Sequence, residues 1–394
     1  MSQKLVDRSP DLKRLRDEGL DLKVVGTHLL IRSVPYVNKD KQIRRGTLVS
    51  VLELHQDRTK KPDDHVARFV GERPCDVRGN PLQIIIGENR ESLAPGVETD
   101  FTFSTKPRDG KGYADYYAKM KEYIKILEHE AQAIDPMVRS ETFPVILPDD
   151  DERSPFKYRD TASSRAGIDA LSPKLMIPRI AIVGLGGTGS FILDLVAKTP
   201  VSEIHLFDND TFSQHNAFRC PGALGVDELR PEMKKVEHYH AVYSKLRHGI
   251  FAHPYRITPE NAEELRDIQF VFLCLDSGEF KDAIMKRLEE SGVPFIDVGM
   301  GVQEKDGALT GILRVTTSTP AKRDHVRANQ RVSFAPAAGE NEYSRNIQVA
   351  DLNALNAVLA VVKWKKLCGF YHDLENEHHS TFMIETGRLS REDT

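Results

Sequence analysis

Residues 179–219 read RIAIVGLGGTGSFILDLVAKTPVSEIHLFDNDTFSQHNAFR, and their reading decides the fold. Arg179 to Val183 supplies Ile, Ala, Ile and Val bounded by glycine, the composition of a buried central parallel strand. A turn carrying Gly184, Gly186, Gly187 and Gly189 follows, and a helix begins near Thr188. Gly184 permits the tight turn, Gly186 removes a side chain where backbone must approach a phosphate, and Gly189 lets helix and strand pack closely. The helix N-terminus offers free N–H groups and a positive dipole to an anion. A second strand, Glu203 to Phe207, ends at Asp208, 19 residues beyond Gly189, where dinucleotide folds bind a ribose hydroxyl. Strand, glycine turn, helix, strand and acid in this order predict a nucleotide site. The spacing leaves the nucleotide open.

Downstream, strands and helices keep alternating. We expect a helix over 231–246, a strand over 251–257, a helix over 259–266 and a buried strand over 268–275 ending at Asp276. A helix over 278–291, strands over 293–299 and 308–316, and a closing helix over 348–367 complete a doubly wound α/β sheet. Residues 317–345 read as a long irregular crossover, and the tail from 384 as polar and loose. Upstream, 1–20 read as a short polar helix and 21–105 mainly as strands split by PDD, RGNP and GEN clusters. A helix over 113–134 carries Tyr116, Met120, Tyr123, Ile124 and Leu127 at core spacing. Residues 136–165, rich in Pro, Asp, Ser and Arg, read as a linker. The expectation is a smaller strand-rich α+β accessory domain over 1–150, then a Rossmann-like nucleotide-binding domain over 151–394.

At 394 residues the chain can bury two cores. A net charge of −4 argues against broad nucleic-acid binding. No apolar run approaches the roughly 20 residues of a membrane span. The charged start MSQKLVDRSPDLKRLRDEG has no apolar centre, so it does not read as a secretion signal. Cys75, Cys220, Cys274 and Cys368 form no C-x-x-C pair, which argues against a disulfide framework and a four-cysteine zinc site. A cytoplasmic location follows as the default. Cys75 lies between Arg73 and Arg78, cations that can lower a thiol pKa, although an ordinary loop cysteine is the plainer reading. His378 and His379 read as part of a solvated segment.

The chemistry concentrates after the glycine turn. Asp208, Asp210, Asn216, Arg219, Lys235 and Asp276 all fall at the carboxyl edge of predicted parallel strands. An ATP there meets an acid for its ribose, an Arg and a Lys for its phosphates, and an acid for Mg²⁺, which takes one or two carboxylates plus phosphate oxygens. A nicotinamide enzyme needs no such cations around its phosphates. Taken singly, each residue could be a solvated charge or, for Asp276, a helix cap.

The series G-x-G-G-x-G, D-x-D-x5-N-x2-R, then Lys and a strand-terminal Asp resembles the ThiF-like family over about 160–370. That family includes ubiquitin-activating enzymes and the adenylyltransferases of thiamine and molybdopterin synthesis. The resemblance implies ATP- and Mg²⁺-dependent adenylation of the C-terminal glycine of a ubiquitin-like or sulfur-carrier protein by a homodimer. It implies Asp208 at the ribose, Asn216, Arg219 and Lys235 at the phosphates, and Asp276 at Mg²⁺. It also implies an upstream arginine given to the partner subunit's ATP, for which Arg165 is the candidate and Arg159 the second choice. The arrangement looks like bacterial ThiF-like proteins of ubiquitin-like conjugation operons, with a ubiquitin-conjugating protein as a further partner. The chain departs from the family in lacking two C-x-x-C pairs and any cysteine within 317–345. The acyl group therefore either stops at the adenylate or passes to Cys75, Ser333 or Ser344. Two rival readings remain: an NAD-dependent oxidoreductase, and a non-enzymatic adaptor on a degenerate nucleotide fold.

Overall fold

The computed structural model describes every residue except 1, 89, 108–109, 150–153, 276–279, 333–346 and 392–394. The chain forms two units, one of Met1–Glu152 with Tyr158–Gly167, the other of Arg153–Lys157 with Ile168–Thr394.

The first unit is an antiparallel sheet in the order Asp21–Val25, His28–Val37, Ile43–Val51, Val66–Val70, Phe101–Ser104, Ile85–Gly87. The helix Tyr116–Ile134 begins where Asp115 accepts a hydrogen bond from the Ala118 amide at 2.7 Å. It buries Tyr116, Met120, Tyr123, Ile124 and Leu127, the stripe read from the sequence, against Phe69 and Phe103 of the sheet. The predicted single N-terminal helix is two, Ser2–Arg8 and Pro10–Asp17, broken at Ser9-Pro10 because proline cannot donate into a running helix. Residues 158–165, expected in the linker, fold with this unit as part of Tyr158–Gly167. A short helix, Thr161–Arg165, is capped by Asp160, and the Ser164 hydroxyl meets Asp17 at 2.9 Å.

The second unit is α/β. Its sheet runs Ile250–His253, Glu203–Phe207, Arg179–Val183, Phe270–Leu273, Phe295–Lys305, Ala308–Ser318, His379–Met383, Arg388–Arg391. The first five strands are parallel, and the last three extend the sheet antiparallel. The helices Gly187–Ala197, Lys235–Tyr243 and Ala350–Leu367 contribute to the core on one face. Helix Lys281–Glu290 and the turn Ala262–Leu265 contribute to the core on the other. This is the doubly wound arrangement read from the sequence. The strand expected to end at 299 continues to Lys305 and pairs over eleven residues with the next. Within the tail expected to be loose, Arg388–Arg391 pairs as the last strand of the sheet. His378 and His379 are buried rather than solvated, with His379 Nδ1 3.1 Å from the Thr316 hydroxyl. No helix among the described residues is long and apolar enough to cross a membrane.

An ion-pair cluster ties the closing helix to the segment before the last two strands. Lys363 lies 2.8 Å from Asp373, and Lys366 lies 2.7 Å from Glu377. Burial alone would raise the Asp373 pKa, but the Lys363 ammonium holds it at about 2. The folded value is below the unfolded one, so acid protonates the unfolded chain first. The stabilisation is complete above about pH 4 and is lost as pH falls towards about 2. We expect Asp373→Asn to remove ~2 kcal/mol of stability at neutral pH, with the two proteins converging in acid. Unfolding curves taken through this range check it, and parallel curves for the two proteins would refute it.

Candidate functional site

In the parallel sheet the chain leaves Arg179–Val183 towards one edge and returns to its other side at Phe270–Leu273. Ligands of open α/β sheets bind at such a switch point, beyond the carboxyl ends of the strands. A cleft of about 320 Å³ lies there. The N-terminus of helix Gly187–Ala197 opens onto it, with no side chain capping its first amides. Gly184 adopts φ +92°, and a Cβ on Gly189 would overlap the Gly184 carbonyl oxygen, so this turn accepts glycine at both places.

Asp208 holds the turn in shape. Its Oδ2 accepts the Leu185 amide at 2.7 Å and its Oδ1 the Asp210 amide at 2.8 Å. Burial pushes its carboxyl above the usual carboxylate value, against the nearby charge of Lys235. Lys235 is 6% exposed, with Nζ 2.7 Å from Asp210 and 3.9 Å from Asp208. Burial acts to raise the Asp210 pKa too, but the Lys235 hydrogen bond and charge keep it below the ordinary value. Two carboxylates thus aim one desolvated cation into the cleft.

Arg219 also lines the cleft, and its Nε is buried with no hydrogen-bond partner among the described residues. Asn216 is not among the lining residues. It is 3% exposed, and its side-chain oxygen accepts the Ser213 amide at 2.8 Å to cap the turn that presents Arg219. Beneath the turn sits Asn353 of the closing helix, fully buried. Its Oδ1 accepts the Thr188 hydroxyl at 3.0 Å, and its Nδ2 reaches the Arg219 carbonyl at 3.5 Å. A Cβ on Gly187 would collide with this side chain.

The opposite wall was not found by sequence reasoning. Lys281 Nζ donates to the Leu275 carbonyl at 3.0 Å and lies 2.5 Å from Asp297, which is fully buried and 2.6 Å from Arg314. Asn356, also fully buried, donates to the Gly299 carbonyl at 3.1 Å, and Gln348 completes this side. The available signal was Asn353 and Asn356 at helical spacing in an otherwise apolar face with Ala357, Ala360 and Trp364.

The structure brings together Gly184, Gly186, Gly187, Gly189, Asp208, Asp210, Arg219 and Lys235. Asp276, Ser333 and Ser344 lie outside the described residues. Arg165 and Arg159 fold with the first unit: Arg165 is exposed and stacks over the Phe143 ring at 5.0 Å, while Arg159 pairs with Asp7 at 2.5 Å. Cys75 is 1% exposed, and burial pushes its thiol up against the opposing charge of Arg73, which pairs with Glu88. The plainer reading of Cys75 holds. Burial also raises the Cys220 thiol, and Cys368 to about 11.

A helix N-terminus, a buried lysine and an arginine with an unsatisfied Nε fit a nucleoside polyphosphate, whose oxygens would accept from all three. Residues 10–161 match a family described as a domain of unknown function, DUF6791. No curated protein matches the chain. Similar solved structures include E. coli MccB with MccA-N7isoASN, 17% identical, TM-score 0.46, covering 59% of this chain and 69% of that one. E. coli MccB with ATP is 16% identical, with TM-score 0.41 and coverage of 59% and 69%. Selenomethionine PaaA is 15% identical, with TM-score 0.46 and coverage of 75% and 92%. Residues 162–388, more than half of the chain, match the ThiF family, and the chain belongs to it.

Proposed function

We propose that the protein is an adenylyltransferase that uses ATP to activate the C-terminal carboxylate of a peptide or protein, and more narrowly the terminal glycine of a ubiquitin-like or sulfur-carrier protein. The observation that carries this reading is the desolvated Lys235 held beside the open helix N-terminus and Arg219. Adenylation joins a carboxylate to the α-phosphorus of ATP and releases pyrophosphate. A carboxylate is already a nucleophile at neutral pH, so the chain has to align two anions and neutralise the leaving phosphates. Lys235 and Arg219 do the neutralising, the helix amides orient the phosphates, and Asp208 sets the turn and faces the ribose. Asp276 would hold Mg²⁺, which screens phosphate charge.

We further propose a homodimer in which Arg165 serves the partner subunit's ATP. Arg165 is exposed whereas Arg159 is engaged by Asp7, and this supports the choice between them. The family resemblance includes a ubiquitin-conjugating partner. The four free cysteines support the proposal of a cytoplasmic location.

The test is binding of ATP and NADH to purified protein, followed by carrier-dependent ATP–pyrophosphate exchange. We expect ATP to bind in preference to NADH, and Asp276→Ala to abolish exchange. NADH binding without ATP binding would favour the oxidoreductase. Activity in cells unaffected by Asp276→Ala would favour an adaptor.

A further inference from the structure

The cleft wall formed by the closing helix and the residues just before it carries two hydrogen-bond acceptors with no donor among the described residues. Asn356 is fully buried, and its orientation is set because only Nδ2 can donate to the Gly299 carbonyl, 3.1 Å away. Its Oδ1 then has no partner among the described residues, and neither has the buried Oε1 of Gln348. Both residues line the cleft. A buried acceptor left unpaired is costly, so such an atom points to a donor brought by a ligand.

ATP does not supply that donor. Its N–H and O–H groups are confined to the adenine amine and the ribose hydroxyls, and the triphosphate offers only acceptors. Asp208 follows the strand Glu203–Phe207, while Asn356 is fastened to Phe295–Lys305 at Gly299. Those strands are three places apart in the sheet, a span of about 14 Å at the usual strand spacing. Phosphate oxygens placed against two carbonyl oxygens would be repelled. The acceptors therefore face the acyl substrate, on the side away from the ribose.

We propose that Asn356 is a specificity-determining residue whose Oδ1 accepts the N–H of the last peptide bond of the carboxylate substrate, with Gln348 a second acceptor on the same wall. The pairing selects a peptide over a carboxylic acid of similar size that lacks the amide. It rests on the adenylation reading above and adds the group that recognises the acyl chain.

Two stable mimics of an acyl-adenylate test it. Glycylglycyl sulfamoyladenosine carries the peptide N–H, and its depsipeptide analogue has an ester oxygen in that place. In calorimetric titrations the wild type should bind the amide roughly ten- to hundredfold tighter than the ester, the usual effect of leaving a buried acceptor unpaired. Asn356→Leu should bind the amide only as well as the ester. Equal affinity of the wild type for both mimics, with AMP and ATP bound normally, would overturn the assignment and leave adenylation standing. This outcome needs no variant, so it survives a misfolded Asn356→Leu. Failure of the wild type to bind any of the adenosine compounds would overturn both readings.

Discussion

Lys235→Met is expected to lower adenylation by about a hundred- to a thousandfold, equivalent to about 3–4 kcal/mol. Methionine keeps the length and apolar stem of lysine but removes the charge. Asp210 and Asp208, 2.7 and 3.9 Å from Nζ, are then left facing the phosphates with no cation between them. Repulsion replaces attraction at the position where charge must be neutralised, so ATP affinity falls along with the rate. Asp210 is half-exposed and can hydrate, so the fold survives. Titrations with adenosine and ATP check the assignment: adenosine should bind as before while ATP weakens. Equal weakening of both ligands would show that Lys235 shapes the turn and leaves the phosphates alone.

The second large effect is on stability. Asp297 is fully buried between Lys281 and Arg314, and Lys281 is itself 2% exposed. Asp297→Ala strands two cations next to the cleft, which should cost about 3–5 kcal/mol and lower the melting temperature by roughly 10 °C. Replacing both members of the inner pair, Lys281→Met with Asp297→Leu, should recover part of that loss, because no unpaired ammonium remains inside and Arg314, partly exposed, keeps its bond to the Thr316 hydroxyl. Thermal unfolding of the two variants decides it. A double variant as unstable as the single one would show that the network contributes through its hydrogen bonds, Lys281 to Leu275 among them, and not through charge balance.

Local chemistry made the centre of the second unit legible. The run from Arg179 to Val183 and its glycines carry strong short-range preferences, and the helix begins at Gly187, one residue from the place read. Phe270–Leu273 was equally plain, because a strand covered on both faces shows as a continuous apolar run. What escaped depends on distant partners. The Arg388–Arg391 strand has a polar sequence and forms because Ser380–Met383 offers it a ladder. His378 and His379 look solvated in EHHS but are covered by neighbours such as Thr316, 63 residues away from His379 in sequence. Residues 158–165 have linker composition, yet Ser164 finds Asp17 across 147 positions. In the cleft, the loop and turn residues were visible as a series, whereas Asn353 and Asn356 were masked by their apolar helix. A buried amide is informative only once its partners are known.

The bond between Thr188 and Asn353 spans 165 residues. During synthesis at about 5–20 residues per second, the glycine turn emerges roughly 8–33 seconds before the asparagine that seats beneath it. Until then Gly187 lies over a vacancy, and the Arg219 segment lacks its tether to the closing helix. The nascent chain thus carries its nucleotide motif well before it can grip a nucleotide, and binding competence arrives late, with the closing helix.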